Sequence, residues 1–213
     1  MDGLDEVTRL VCVRHGQTDW NAQGRIQGQL DIDLNPLGQA QALALAAALQ
    51  DEGLDQVVCS DLQRCRQTLA PLLLQRTLPV RWHAGLRERS FGDFQGQTWV
   101  ELGAREPEAL QRWKSRDPDF AAPGGESLRV FSERVLAVVR ELAAAHAGQT
   151  LLLVTHGGVL DCLYRAALGL DFQAARSWRL GNAAINRLMV SGGRLHLVGW
   201  ADEAHLPALP ASA

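Results

Sequence analysis

Two stretches of this chain repeat one pattern, an uninterrupted apolar run that ends on histidine and glycine. Leu10-Val11-Cys12-Val13 leads into Arg14-His15-Gly16, and Leu151-Leu152-Leu153-Val154 leads through Thr155 into His156-Gly157-Gly158. Apolar runs of this length, partly β-branched and followed by glycine, predict strands buried on both faces that end in a sharp turn. In a parallel sheet the carboxyl ends of the strands face the ligand crevice. The pattern therefore predicts two histidines delivered to one edge of one sheet.

Strand and helix patterns alternate along the rest of the chain. A long polar loop, Gln17 to Asn35, follows the first strand, and a loop of that length in a compact protein usually carries function. Asn35-Pro36 reads as an N-cap with proline at the first helical position, opening an Ala/Leu-rich helix that runs to about Glu52 and is closed by Gly53. Gln56–Ser60 predicts a short buried strand and Leu62–Gln75 a helix with Arg64 in its first turn. By pattern alone Arg64 is a solvated surface residue, although a cation there opposes the helix dipole unless an anion lies nearby. Leu78–His83 predicts a third strand, near a sheet edge because of Pro79, and it leads to Glu88.

Between Arg89 and Gly125 glycines, prolines and charges interrupt Phe91, Phe94, Trp99, Trp113 and Phe120. This segment reads as an insert at the sheet edge. Its rings suit the small core of a subdomain first and a substrate cover second. An amphipathic helix is expected from about Ser127 to Ala147, then the Thr150–His156 strand and a helix from Gly158 to about Leu168. Strands at Ala184–Val190 and Leu195–Trp200 flank a Ser191-Gly192-Gly193 hairpin turn, and an Ala/Pro tail from about residue 204 is expected to fray. The alternation predicts an α/β fold, a three-layer α/β/α sandwich around a mainly parallel sheet with an antiparallel edge. All 213 residues are expected to form one domain, with the insert at about 89–125.

Composition narrows the partners. A net charge of −3 offers no basic field for nucleic acid or an anionic membrane. No apolar run approaches the ~20 residues of a membrane span, and Met1–Glu6 lacks the apolar region of a signal peptide. Cys12 and Cys59 read as buried thiols, and the four cysteines show neither CxxC nor metal-type spacing. A reducing, cytoplasmic setting is expected. Lys114 is the only lysine, an arginine bias that suits phosphate but that base composition explains better. Nothing fixes the oligomeric state, and a homodimer is compatible with the sequence.

The groups expected at the carboxyl edge are Arg14, His15, Asn21, Arg64, Glu88, His156 and the backbone amides near Gly157. Guanidinium forks and a helix start suit a phosphate dianion. An imidazole among cations is held neutral, the nucleophilic form. In-line attack by His15 on phosphorus follows, with Arg14, Arg64 and His156 stabilising the spreading charge and Glu88 protonating the leaving alkoxide. No metal and no cofactor is called for: no histidine pair shows i, i+4 spacing. The chain has no Gly-x-Ser-x-Gly, Walker A or Rossmann glycine pattern.

These blocks resemble the histidine phosphatase superfamily in its phosphoglycerate-mutase-like branch. Val13-Arg14-His15-Gly16-Gln17-Thr18 with Trp20-Asn21 is similar to the family's Arg-His-Gly-x-Thr-x-x-Asn pattern. Ser60–Thr68, Leu86-Arg87-Glu88, Gly124-Gly125-Glu126-Ser127 and Val154–Gly157 match its later blocks in order. The resemblance implies His15 as the phosphorylated nucleophile, Glu88 as proton donor, and Arg14, Asn21, Arg64 and His156 as phosphate ligands. Thr18 and Gly157, within the matching blocks, are expected to bind phosphate or substrate with Asn21, as are Gln27 and Gly28, which sit where relatives shape the substrate mouth. It implies a metal-independent phosphomonoesterase acting on a small phosphorylated metabolite. The segment Arg89–Trp99 lacks the Gly-Leu-Asn-Lys and Arg-Arg features of glycolytic mutases, so a phosphoglycerate mutase is the second reading. A noncatalytic phospho-ligand module is the third, since every catalytic position is filled.

Overall fold

The computed structural model describes residues 7–206. In chain order its elements are β1 (Thr8–Arg14), α1 (Asp19–Ala22), α2 (Pro36–Ala48), β2 (Gln56–Cys59), α3 (Gln63–Gln75) and β3 (Val80–Trp82). There follow α4 (Trp99–Arg105), α5 (Pro107–Lys114), α6 (Leu128–Ala145), β4 (Thr150–Thr155), α7 (Gly157–Leu168), β5 (Ile185–Ser191) and β6 (Arg194–Asp202). Short 3-10 turns lie at Ala84–Leu86 and Gly92–Phe94.

The six strands form one sheet in the order β3-β2-β4-β1-β5-β6. The first four are parallel, and the β5–β6 hairpin adds the antiparallel edge. Leu151, Leu152, Leu153 and Val154 of the central strand are all fully buried, which explains the unbroken apolar run. One set of alternating side chains, with Leu151 and Leu153, packs with α6 and α7. The other set, with Leu152 and Val154, packs with α2 and α3. Burying a leucine of this kind stabilises by roughly 1.5–3 kcal/mol.

Local chemistry sets the element ends. Asn35 caps α2 by accepting from the Gly38 N–H, and Pro36 fills the first helical position as expected. The helix stops at Ala48, well short of Glu52. Leu49 is fully buried, and the Arg76 guanidinium donates to the Leu49 and Glu52 carbonyls, replacing the bonds a longer helix would make. Gly53 has no left-handed φ and closes nothing. Ser127 caps α6. β3 is indeed an edge strand and is shorter than the expected Leu78–His83.

Residues 89–125 hold α4, α5 and a separate cluster in which Phe94, Leu102 and Phe120 pack with Ile26 of the polar loop, against Phe91 and Trp113. At the C-terminal end a turn joins Leu206 N–H to the Glu203 carbonyl. The rest of the expected frayed tail, 207–213, lies outside the described residues, as does Met1–Glu6. No helix among the described residues is long and apolar enough to cross a membrane.

Candidate active site

Sheet register brings the two histidines together. β1 and β4 are adjacent and parallel, with Arg14 opposite Thr155, so His15 and His156 follow at neighbouring strand ends. The His15 N–H donates to the Thr155 carbonyl at 2.9 Å, and the rings lie 5.2 Å apart, edge to face. β2 ends beside β4, and the Ser60 N–H donates to the Val154 carbonyl. That places the Ser60 hydroxyl 2.8 Å from His156 Nε2.

His15 is 3% exposed, and its Nδ1 lies 2.7 Å from the Gly16 carbonyl. A carbonyl only accepts, so Nδ1 carries the proton and Nε2 keeps its lone pair. Burial, then Arg64 and Arg14, hold the His15 pKa well below 6.5, against the opposing Gly16 bond. Burial acts first on His156 too, followed by Arg64, His15 and Arg14. Both imidazoles are therefore neutral at pH 7.

A cleft of about 980 Å³ opens over His15. Its walls include Arg14, Asn21, Gln27, Gly28, Arg64, Glu88 and Gly157 among the residues singled out from the sequence. His156 and Thr18 are fully buried and are not on its walls. Thr18 caps α1, exchanging bonds with Asn21, which it orients. Arg64, far from being a surface residue, is fully buried. It donates to the Gly28 and Leu30 carbonyls at 2.7 and 2.8 Å, so the polar loop folds back over α3. The Nε atoms of both Arg14 and Arg64 are buried with no partner among the described residues.

Glu88 is held from two sides. Its Oε1 accepts from the Arg89 N–H and its Oε2 from the Gly158 N–H at the start of α7. Each oxygen keeps a further lone pair for a substrate or water proton. Gly158 leaves room for this carboxyl: a Cβ there would lie 2.1 Å from Glu88 Oε1 and displace it. Gly28 has φ +54°, and a Cβ on it would strike Gln95.

Residues 169–183, which carry no periodic pattern, supply what sequence reasoning missed. Asn182 Nδ2 donates to the His15 carbonyl and to Asn21 Oδ1. The Leu180 carbonyl accepts from Arg14, and Arg176, Trp178 and Gly181 line the cleft. The Gly181-Asn182 pair, a turn-type dipeptide, is the one local cue. Eight arginine or lysine side chains line the cleft against three carboxylates, so it favours anions. Among the described residues, no three His, Cys, Asp or Glu side chains converge as metal ligands.

The neutral histidines make stability acid-labile. Their folded pKa values are depressed, so below pH 6.5 the unfolded chain binds more protons. Their contribution is complete above 6.5 and is lost as pH falls toward the folded values. Each group adds a slope of about 1.4 kcal/mol per pH unit in that window, about 3 for the pair. Urea unfolding at pH 7.5, 6.5 and 5.5 should show this slope, roughly halved in His15→Gln. A flat profile contradicts the burial of neutral imidazoles.

At the carboxyl edge of the sheet a buried neutral histidine and two arginines thus share one cleft wall, a setting suited to a phosphate group. The chain belongs to the histidine phosphatase superfamily (branch 1), whose model matches residues 10–203. It is 37% identical over 209 residues to the metal-independent phosphoserine phosphatase of Arabidopsis thaliana, covering 96% of this chain and 85% of that one. It is 34% identical to the Arabidopsis phosphoglycerate mutase-like protein 4, covering 94% and 88%. The solved mycobacterial glucosyl-3-phosphoglycerate phosphatase superposes with a TM-score of 0.81 at 36% identity, over 92% of this chain and 99% of that one.

Proposed function

We propose that this chain is a metal-independent phosphoric monoester hydrolase of the histidine acid phosphatase type, acting on a small phosphorylated metabolite through a phosphohistidine on His15. The observation that carries the reading is the His15 ring. Nδ1 is tied to the Gly16 carbonyl, leaving Nε2 as the free neutral nitrogen on a cleft wall shared with Arg14 and Arg64.

The chemistry proceeds in two displacements. Nε2 attacks phosphorus in line, the N–P bond forms and the ester P–O bond breaks. The leaving oxygen takes the proton of the Glu88 carboxylic acid. Arg14, Arg64 and Asn21 hold the phosphoryl oxygens, with the free Nε donors of both arginines available to them. His156, edge to face with His15 and with its Nε2 at the Ser60 hydroxyl, supports the same charge from the buried layer beside His15. Water then enters, gives its proton to Glu88 and attacks phosphorus, and the N–P bond breaks to release phosphate. Thr18, Gln27, Gly28 and Gly157 position the loop and the helix start around these groups. Residues 89–125 act as a cover over the leaving group, since Phe91, Trp99 and Trp113 line the cleft.

Metal independence follows from the charges, because guanidinium groups already do what a divalent ion would do. Prolonged dialysis against a chelator should leave the hydrolysis rate unchanged. A rate lost on chelation and restored by a divalent ion contradicts the mechanism. Product analysis with phosphoglycerate tests the hydrolase reading itself: release of inorganic phosphate supports it, and isomerisation without release supports a mutase.

A further inference from the structure

Two residues that line the cleft carry buried polar atoms that the phosphoryl chemistry does not use. Asp161 is 4% exposed and lines the cleft. Its Oδ2 accepts from Arg116 Nη2 at 2.6 Å and Arg165 Nε at 3.0 Å, while Oδ1 has no partner among the described residues. Trp178, 8% exposed, also lines the cleft, and its indole N–H is likewise buried and unpartnered. The ring is fixed between Tyr164, stacked at 4.2 Å, and the Arg165 guanidinium at 4.8 Å. Arg165 thus joins the two residues, and both atoms are held rigidly. A buried donor or acceptor left unpaired is unfavourable, so a ligand that completes both is favoured.

Position relates this pair to the reaction. Gly157 and Asp161 are four residues apart on α7, on one face and about 6 Å apart along the axis. The phosphoryl end lies at Gly157, so Asp161 stands one helical turn away, within reach of the second carbon of a leaving alcohol.

We infer that Asp161 Oδ1 and the Trp178 N–H form a leaving-group subsite that reads a hydroxyl on the carbon chain, making the substrate a hydroxylated alkyl phosphate. This inference rests on the phosphomonoesterase reading of the same cleft. A hydroxyl both donates, as Asp161 requires, and accepts, as Trp178 requires, whereas an ammonium only donates. Charge points the same way. Asp161 already faces two guanidinium groups, and the cleft carries an excess of cations, so an added ammonium would be repelled.

Three esters that differ at one carbon test the subsite: 3-phosphoglycerate with a hydroxyl, O-phosphoserine with an ammonium, and 3-phosphooxypropanoate with neither. The hydroxyl ester should exceed the unsubstituted one in kcat/KM by at least about 100-fold, since a site built to bond a hydroxyl rejects the analogue lacking it. It should exceed phosphoserine by about tenfold or more. Trp178→Phe keeps the ring and removes the N–H, and Asp161→Asn keeps the shape and removes the charge. Each should shrink the hydroxyl-to-unsubstituted ratio by about tenfold. Should Asp161→Asn fail to fold with its two arginines unpaired, the wild-type ratios and Trp178→Phe still decide. Equal rates on all three esters, no turnover of any of them, or preference for phosphoserine overturns the subsite. Wild-type hydrolysis of p-nitrophenyl phosphate reads the underlying reaction separately. Failure there removes the phosphatase reading, whereas success with flat ester ratios removes only the subsite.

Discussion

His15→Asn should lower kcat for phosphate-ester hydrolysis by roughly 10⁴-fold or more, the scale seen when a nucleophile is removed from an enzyme working by covalent catalysis. The size of the effect follows from the site's construction. His15 is the one imidazole on the cleft wall, and burial with two nearby guanidinium groups keeps it neutral. His156 cannot replace it, because it is fully buried and its Nε2 is bonded to Ser60. Asparagine fills much of the same volume, so the loss should come without a comparable fall in melting temperature. Steady-state rates with circular dichroism on the same samples check both. Retention of more than a few percent of the rate would place the nucleophile elsewhere.

Glu88→Gln should produce the second largest effect, and one that depends on the leaving group. An alkoxide leaves poorly without a proton, whereas nitrophenolate needs none. General acid catalysis typically contributes about 10²–10⁴-fold, so the variant should lose that factor on alkyl phosphates. The burst of phenolate from p-nitrophenyl phosphate should fall far less. Glutamine is a fair test, because its amide oxygen can still accept one of the backbone N–H bonds that hold the Glu88 carboxyl. The steady-state aryl rate will fall further than the burst, since the same side chain receives the proton of the attacking water. Equal loss of burst rate on aryl and alkyl esters would falsify proton donation and leave Glu88 a positioning group.

Much of this architecture was legible because burial on both faces leaves a strong mark. The runs Leu10–Val13 and Leu151–Val154 could be little else than central strands, and the histidines after them were placed by that fact alone. Arg64 was misread by pattern, since nothing local shows that the loop at Gly28–Leu30 folds over its guanidinium. The end of α2 failed for a similar reason, because the cap that matters is Arg76, 27 residues from Leu49 in sequence. The Ser60–His156 bond spans 96 residues and depends on strand order, which periodicity does not encode. Residues 169–183 were passed over because irregular backbone has no period to detect. Asn182, Trp178 and Leu180 therefore emerged only in three dimensions. Within the aromatic insert, Phe94 and Phe120 belong to a small core on which Trp113 packs, and Phe91, Trp99, Trp113 and Phe120 also line the cleft.

The central claim is covalent and can be read directly. Protein mixed with a phosphate-ester substrate and quenched in base should retain one phosphoryl group, and the same sample quenched in acid should lose it, as a phosphoramidate does. Phosphorus NMR of the base-quenched protein, with peptide mapping, should place that group on Nε2 of His15, because the Gly16 carbonyl holds Nδ1. A phosphoryl group stable to acid, located on any other residue, or absent during active turnover contradicts the mechanism.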